Sequence, residues 1–184
     1  MIVDIFNTQN RYDIIYADPP WQYKDTRKHD PANGGITYKT LSLEEIKALP
    51  IPRICNKDCA LFLWATMPML SEALQTIRAW GFKYTTCAFV WVKLNPKNDG
   101  IYSGLGNWTN GNAELCLFAK KGRPVRAAKN VKQIVMEHRA RHSEKPAEVR
   151  KRITDLLGDL PRIELFARQT AEGWDAWGDE LSPN

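Results

Sequence analysis

Asp18-Pro19-Pro20-Trp21 follows the apolar run Ile14-Ile15-Tyr16-Ala17, and the four residue types describe a binding site before any element is assigned. Proline has no backbone N–H and a nearly fixed φ, so Pro19 and Pro20 leave carbonyl acceptors in a set geometry. A carboxylate beside those carbonyls makes a cluster that only accepts hydrogen bonds. Its complement is an NH2 group, with one hydrogen for Asp18 and one for a proline carbonyl. Trp21 adds an aromatic face on which a flat ring stacks, at about 1–3 kcal/mol per base. The tetrapeptide therefore describes a seat for an amino group on a planar heterocycle. Without further support, the same residues also fit a capped turn that stops a strand.

Positioning this seat falls to Arg11–Ala17, whose continuous apolar stretch predicts a strand buried on both faces. The same pattern predicts strands over Asp58–Thr66, Tyr84–Leu94, Ala113–Gly122 and Arg162–Ala167, with a short one at Gln133–His138. Ser42 with Glu45 three residues on is a capping box for a short helix ending before Pro50. Pro68 opens a helix that runs to Trp80 and is closed by Gly81. Glu144–Gly158 reads as an amphipathic helix with Pro146 in its first turn. Leu70, Ala73, Leu74, Ile77 and Trp80 recur at helical spacing and are assigned to the core, as are Trp64 and Trp91.

Helices alternating with near-continuous apolar strands predict an α/β fold: a three-layer sandwich on a mostly parallel sheet, in one domain over 1–184. A loop joins the Tyr84 and Ala113 strands, which predicts an antiparallel pair there. Ligands bind beyond the carboxyl ends of strands in such sheets, which puts Asp18 and Arg168 on one rim. The polar, glycine-rich stretch Asn95–Asn112 is long enough to be a functional loop, and Trp108 within it is a candidate substrate contact.

The chain has 26 Lys+Arg against 21 Asp+Glu, a net charge of +5, which suits a polyanion without requiring one. Lys24, Arg27, Lys28 and His29 follow the tetrapeptide, and Lys120–Lys132 has Lys120, Lys121 and Arg123 among its cations and no acid. Solvated loops are the plain reading of either cluster. Two of them near one candidate site favour nucleic acid, with Lys24, Lys120, Lys121 and Arg123 as contacts to it. No apolar stretch reaches the ~18 residues that span a bilayer, and the N-terminus has no basic segment before an apolar core. The expectation is a cytoplasmic protein without membrane contact. Cys55, Cys59, Cys87 and Cys116 read as reduced thiols, Cys87 and Cys116 as core residues. Cys55-x3-Cys59 and His138-x3-His142 have finger-like local spacings but lie far apart in sequence, and no metal site is predicted.

"ADPPW" followed by "TYKTLSLEEI" resembles the MT-A70 family of S-adenosylmethionine-dependent adenine-N6 methyltransferases. The likeness continues in family order through "FLWAT", "FVWVK", "GNWTNGNAELCLF", "HSEKPAEV" and "RIELFARQTAEGWDAWGDEL". One short motif is weak evidence, whereas a series of blocks in order is not. The resemblance implies a Rossmann-like methyltransferase fold in the permuted order, with the catalytic motif ahead of the main cofactor-binding segment, and the compact bacterial or phage type. It implies that Asp18, Pro19, Pro20 and Trp21 form the catalytic motif. Asp18 and Pro19 would hold the target amine, Asp18 lying also near the methionine part of S-adenosyl-L-methionine. Asp4 and Ile5 match a pair that reads the cofactor adenine. Lys145 matches a lysine at the cofactor carboxylate and Arg168 an arginine at its ribose. Asp179 and Glu180 match ribose- and adenine-side polar groups. Tyr38 matches an aromatic element after the catalytic loop, and Glu114 an acid beneath the substrate pocket. A cation at a helix start is locally unfavourable, which points to a functional reason for Lys145.

Departures from the family pattern are specific. The stretch after Arg168 is slightly shorter than in eukaryotic relatives, so Ala171 replaces a polar cofactor contact. Asp179-Glu180 replaces Asn-Gln, and carboxylates accept hydrogen bonds but do not donate them. No Gly-x-Gly fingerprint stands at the Glu164–Arg168 segment, where Ala167 is the small residue in its place. DNA is the expected substrate, because the chain resembles stand-alone enzymes and carries no recognisable RNA-binding module. RNA adenine is the close alternative, followed by protein glutamine and by a silent partner that binds nucleic acid without turnover. A homodimer is allowed by the sequence, which fixes neither the oligomeric state nor a recognition sequence.

Overall fold

The computed structural model describes residues 1–23, 39–104, 108–139 and 144–181. Lys24, Arg27, Lys28, His29 and Tyr38 lie outside the described residues. The elements are β1 (Tyr12–Ala17), α1 (Leu43–Lys47), α2 (Ile51–Ile54), β2 (Cys55–Ala65), α3 (Leu70–Ala79), β3 (Lys83–Leu94), β4 (Ala113–Lys121), β5 (Ile134–His138), α4 (Ala147–Leu157), β6 (Arg162–Leu165) and β7 (Asp175–Trp177). Ser42 caps α1 with its side chain on the Glu45 N–H, and Glu45 reaches back to Ser42, so the capping box is complete. A 3-10 turn at Met67–Met69 leads into α3, and Gly81, at φ 80°, closes it. Pro50 does not end the helical region: Pro52, near its start, opens the short α2 directly before β2.

Among the described residues the strands form one seven-stranded sheet in the order β5-β3-β4-β2-β1-β6-β7. β1 sits between β2 and β6, parallel to both, and β6–β7 and β3–β5 are parallel as well. β4 runs against both β2 and β3, as the loop connection predicts. Alternate residues of β1 and β2 feed the two faces. Ile15, Ala17, Leu61 and Leu63 pack with Ile46, Ile77 and Trp80 from α1 and α3. Ile14, Tyr16, Phe62 and Trp64 pack with Val149, Ile153 and Leu157 from α4. Both faces are thus dry, which is why the strands read as continuous apolar runs, and the result is the expected three-layer α/β sandwich. No helix among the described residues is long and apolar enough to cross a membrane. Cys55, Cys59 and Cys116 are buried, whereas Cys87 is only half-buried and hydrogen-bonds the Phe89 carbonyl at 3.2 Å.

The reversal of β4 decides which of its residues reach the rim. Its start lies beside the end of β2, Leu115 opposite Ala65, so Glu114 faces the carboxyl ends of the parallel strands. Its end lies beside the start of β2, Lys121 opposite Cys59 and Lys120 opposite Ala60. That carries Lys120 and Lys121 roughly 20 Å from the rim at about 3.3 Å per residue. Arg123 follows them, its N–H bonded to Asp58 at 2.6 Å. The expectation that Lys120, Lys121 and Arg123 flank the site is corrected by this register. Beyond β7, Ile2 pairs with Ala176 in parallel, so the N-terminal segment continues the sheet edge.

Candidate active site

β1 stops because the two prolines that follow Asp18 have no N–H to give. Ala17 still pairs with Leu63 and Leu165, and the Asp18 N–H reaches the Leu165 carbonyl at 3.5 Å. Beyond it Pro19 and Pro20 break both ladders at once. The Trp21 N–H turns back onto the Pro19 carbonyl at 2.8 Å, and the Leu41 N–H takes the Pro20 carbonyl at 2.9 Å. Neither oxygen is therefore without a partner, although each retains a second lone pair. Trp21 lines the pocket but is only 4% exposed, with its Nε1 donating to the Trp64 carbonyl at 3.2 Å. The indole is thereby held as a fixed wall of the pocket.

The pocket and the open space before it together amount to about 820 Å³. The catalytic-motif candidates Asp18, Pro19, Pro20 and Trp21 form one side with Thr66, Glu114 and Lys145; Phe166–Arg168 and Trp177–Glu180 form the other. A second hollow, about 700 Å³ with the open space before it, shares Asp18, Lys145, Phe166, Arg168 and Glu180 with the first, so the two are lobes of one cleft. Asp18, Glu114, Lys145, Arg168, Asp179 and Glu180 are thereby brought together from five segments of the chain. Asp4 and Ile5 do not line the cleft. Ile5 is in the core, and Asp4 accepts from the Phe6 N–H at 2.9 Å and from Asn7. Trp108 is 97% exposed and stands apart from the pocket. Ala171 packs beneath the sheet rather than in the cleft.

The ionisable groups form a chain. Lys145 Nζ lies 2.7 Å from Asp18 Oδ2 and 3.3 Å from Glu114 Oε2, and Lys93 Nζ bonds Glu114 Oε1. The Lys145 side chain is 7% exposed. Burial alone would lower its pKa, but Asp18 and Glu114 outweigh burial and hold the ammonium above the ordinary lysine value. Burial would likewise raise Glu114, yet Lys145 and Lys93 keep it below the usual carboxylate range. Asp18 goes the other way: burial raises its carboxyl, and Lys145 only partly opposes that. The two carboxylates explain the cation near the start of α4.

Two loops close the far wall by backbone contact. Phe166 has φ 60°, a costly conformation for an aromatic residue, where β6 turns out of the sheet. It is held there by the Ala167 N–H on the Trp177 carbonyl at 2.9 Å and by its ring against Trp177. A Cβ on Gly178 would lie 2.2 Å from the Ala167 carbonyl, so glycine is what lets the segments touch. Arg168 Nε sits 3.3 Å from Glu180 Oε1. Carboxylates beside an arginine and a lysine, between apolar Phe166 and Trp177, suit a ligand with hydroxyls, an ammonium and a carboxylate.

Residues missed in the sequence divide by signal. Thr66 directly follows β2 and Phe166 directly follows β6, so the carboxyl-end rule reaches them. Trp177 belongs to the three-residue β7, too short for an alternation pattern. Lys93 has no local signal at all.

A family model described as MT-A70 matches residues 12–180. Over 196 residues the chain is 37% identical to the Type II methyltransferase M.MunI of a Mycoplasma species, covering 96% of this chain and 80% of that protein. The putative N(6)-adenosine-methyltransferase MT-A70-like protein of Medicago truncatula is 30% identical over 176 residues, 94% of this chain and 27% of that one. The N(6)-adenine-specific methyltransferase METTL4 of Homo sapiens is 29% identical over 194 residues, 96% of this chain and 39% of that one. The chain thus spans most of the Mycoplasma relative but well under half of the plant and human ones.

Proposed function

Because the chain belongs to the MT-A70 family, we propose that it transfers a methyl group from S-adenosylmethionine to the exocyclic N6 of adenine in DNA. The observation that carries the reading is Asp18 at the tip of β1, fixed by Lys145 on the wall of the cleft, with Pro19 and Trp21 beside it. The Type II methyltransferase name of the Mycoplasma relative, whose length the chain nearly spans, favours DNA over RNA. The N6-methyladenosine RNA methyltransferase MTA1 of Cryphonectria parasitica, 24% identical over 177 residues, keeps RNA adenine as the second reading.

The donor set of the cleft fits S-adenosylmethionine. Asp179 and Glu180 accept from ribose hydroxyls, Arg168 stands beside them, Lys145 answers the carboxylate, and Asp18 answers the amino group. Asp4 and the backbone of Ile5, which stand outside the cleft walls, are proposed to read the adenine edge. When bound, the donor supplies an electrophilic methyl group. The work of the protein's own residues is alignment. Asp18 and the remaining lone pair of the Pro19 carbonyl take the two amine hydrogens of the target. This directs the nitrogen lone pair, otherwise delocalised into the ring, out of the ring plane. Trp21 and Pro20 fix the wall that sets the ring's depth. Alignment of this kind supplies up to about 7–11 kcal/mol in favourable cases. An adenine in a duplex has to leave the stack to reach this depth. Tyr38, Lys24 and Glu114 are proposed as its further contacts, and Trp108 as a contact to the nucleic acid outside the pocket, in a protein of the cytoplasm.

The test is label transfer. With tritiated S-adenosylmethionine, label enters adenine of plasmid DNA and is lost in Asp18→Ala. Label confined to RNA selects the second reading, and label in protein alone, or a fully active Asp18→Ala, defeats both.

A further inference from the structure

Lys93 does not line the cleft, yet it ends the chain of charges that reaches Asp18. We propose that Lys93 is a positioning residue: by neutralising Glu114 from behind, it leaves the Lys145 ammonium on Asp18 and so fixes the carboxylate that receives the target amine. The inference rests on the role given to Asp18 above.

Glu114 is a buried carboxylate whose two oxygens face two cations, Lys93 at Oε1 and Lys145 at Oε2. Without Lys93, Oε1 is unpaired in a site where an unpaired charge is strongly unfavourable. Lys145 is then the cation positioned to answer it. Lys145 stands 2.7 Å from Asp18 and 3.3 Å from Glu114, so its present position favours Asp18. A shift of a few tenths of an ångström towards Glu114 reverses that preference. Lys93 is itself held firmly. Its ammonium lies 5.1 Å from the Trp91 ring centroid, its N–H bonds the Asn112 carbonyl, and its carbonyl accepts from Tyr102. Among the described residues, Asp18 is faced by Lys145 from the segment before α4, Glu114 and Cys116 from β4, and Tyr16 from β1. Glu164 of β6 and Arg168 beyond it complete the set. Lys145 is the one placed against both Asp18 and Glu114.

Two measurements test this. Carboxyl carbon NMR of the free protein follows the Asp18–Glu114 pair, whose coupled protons belong to the pair rather than to either residue. Lys93→Met raises the pH of the first proton uptake by about one unit, and Lys93→Arg restores it. An unchanged midpoint overturns the proposal. In methyl transfer at pH 8, Lys93→Met lowers kcat about tenfold with KM for DNA little changed, the misplaced carboxylate forfeiting about 1.4 kcal/mol of alignment. In Glu114→Gln, where the amide no longer competes for Lys145, Lys93→Met adds nothing. An equal loss in both backgrounds means that Lys93 is merely structural and overturns the proposal. If Glu114→Gln turns over too slowly, the same comparison is made on the Asp18 titration, and a shift in that background overturns it. If wild-type protein methylates no nucleic acid, the functional reading falls, and the titration still judges the relay.

Discussion

Replacing Lys145 by methionine keeps the side-chain length and removes a positive charge that Asp18 and Glu114 share. At an effective dielectric of about 20, the separations of 2.7 Å and 3.3 Å correspond to gross attractions of roughly 6 and 5 kcal/mol. Desolvation of an ammonium that is 7% exposed offsets much of this. Removing one partner of such a buried group costs about 3–5 kcal/mol, because the remaining carboxylates are stranded. For a chain of 184 residues, about 3 kcal/mol is a fall in Tm of roughly 6–12 °C. The pH dependence follows in sign. Lys145 is held above its ordinary value, so its contribution is complete below the unfolded lysine pKa and is lost only as pH rises through the folded one. Glu114 is held below its ordinary value, so its contribution is present above the unfolded carboxylate pKa and lost as pH falls through the folded one. Between about pH 5 and pH 10 both are in force. The deficit of Lys145→Met, measured by urea unfolding, is therefore full at pH 8 and shrinks towards pH 5, where the stranded carboxylates protonate. Equal stability at pH 8, or a deficit as large at pH 5, refutes the reasoning.

Asp18→Asn removes a charge that burial disfavours, one that costs stability above the unfolded carboxylate pKa and nothing well below it. Its Tm at pH 8 is expected to equal or exceed wild type while methyl transfer falls at least about a hundredfold; a lower Tm contradicts this. Gly178→Ala places a Cβ 2.2 Å from the Ala167 carbonyl, so calorimetry should show about 1–3 kcal/mol of lost stability and about tenfold weaker cofactor binding. Trp108→Ala exposes nothing new, so stability stays within about 0.5 kcal/mol, while titration with duplex DNA should show about fivefold weaker binding from a lost stacking contact of about 1 kcal/mol. Charge removal at Lys120 and Lys121, remote from the cleft by the register of β4, is expected to leave kcat at saturating DNA unchanged.

The sequence by itself determined the local stops and starts. Pro19 and Pro20 end β1 because they have no N–H for either neighbour, Ser42 and Glu45 start α1, and Gly81 ends the turn after α3 by admitting a positive φ. It also determined the layers, since a strand packed on both faces has to read as a continuous apolar run. Short-range sterics and burial act within a few residues, and these features are therefore legible. What the tertiary structure decided is which ends meet. The direction of β4 brings Glu114 to Asp18 and sends Lys120 and Lys121 to the opposite end, although both ends of that strand carry charged residues in sequence. β7 exists because β6 lends its edge to three residues that have no pattern of their own. Lys93, Glu114, Lys145 and Asp18 become one chain of charges because β1, β3, β4 and the start of α4 converge on the same rim. Coulomb attraction depends on distance in space, and only the folded sheet sets that distance.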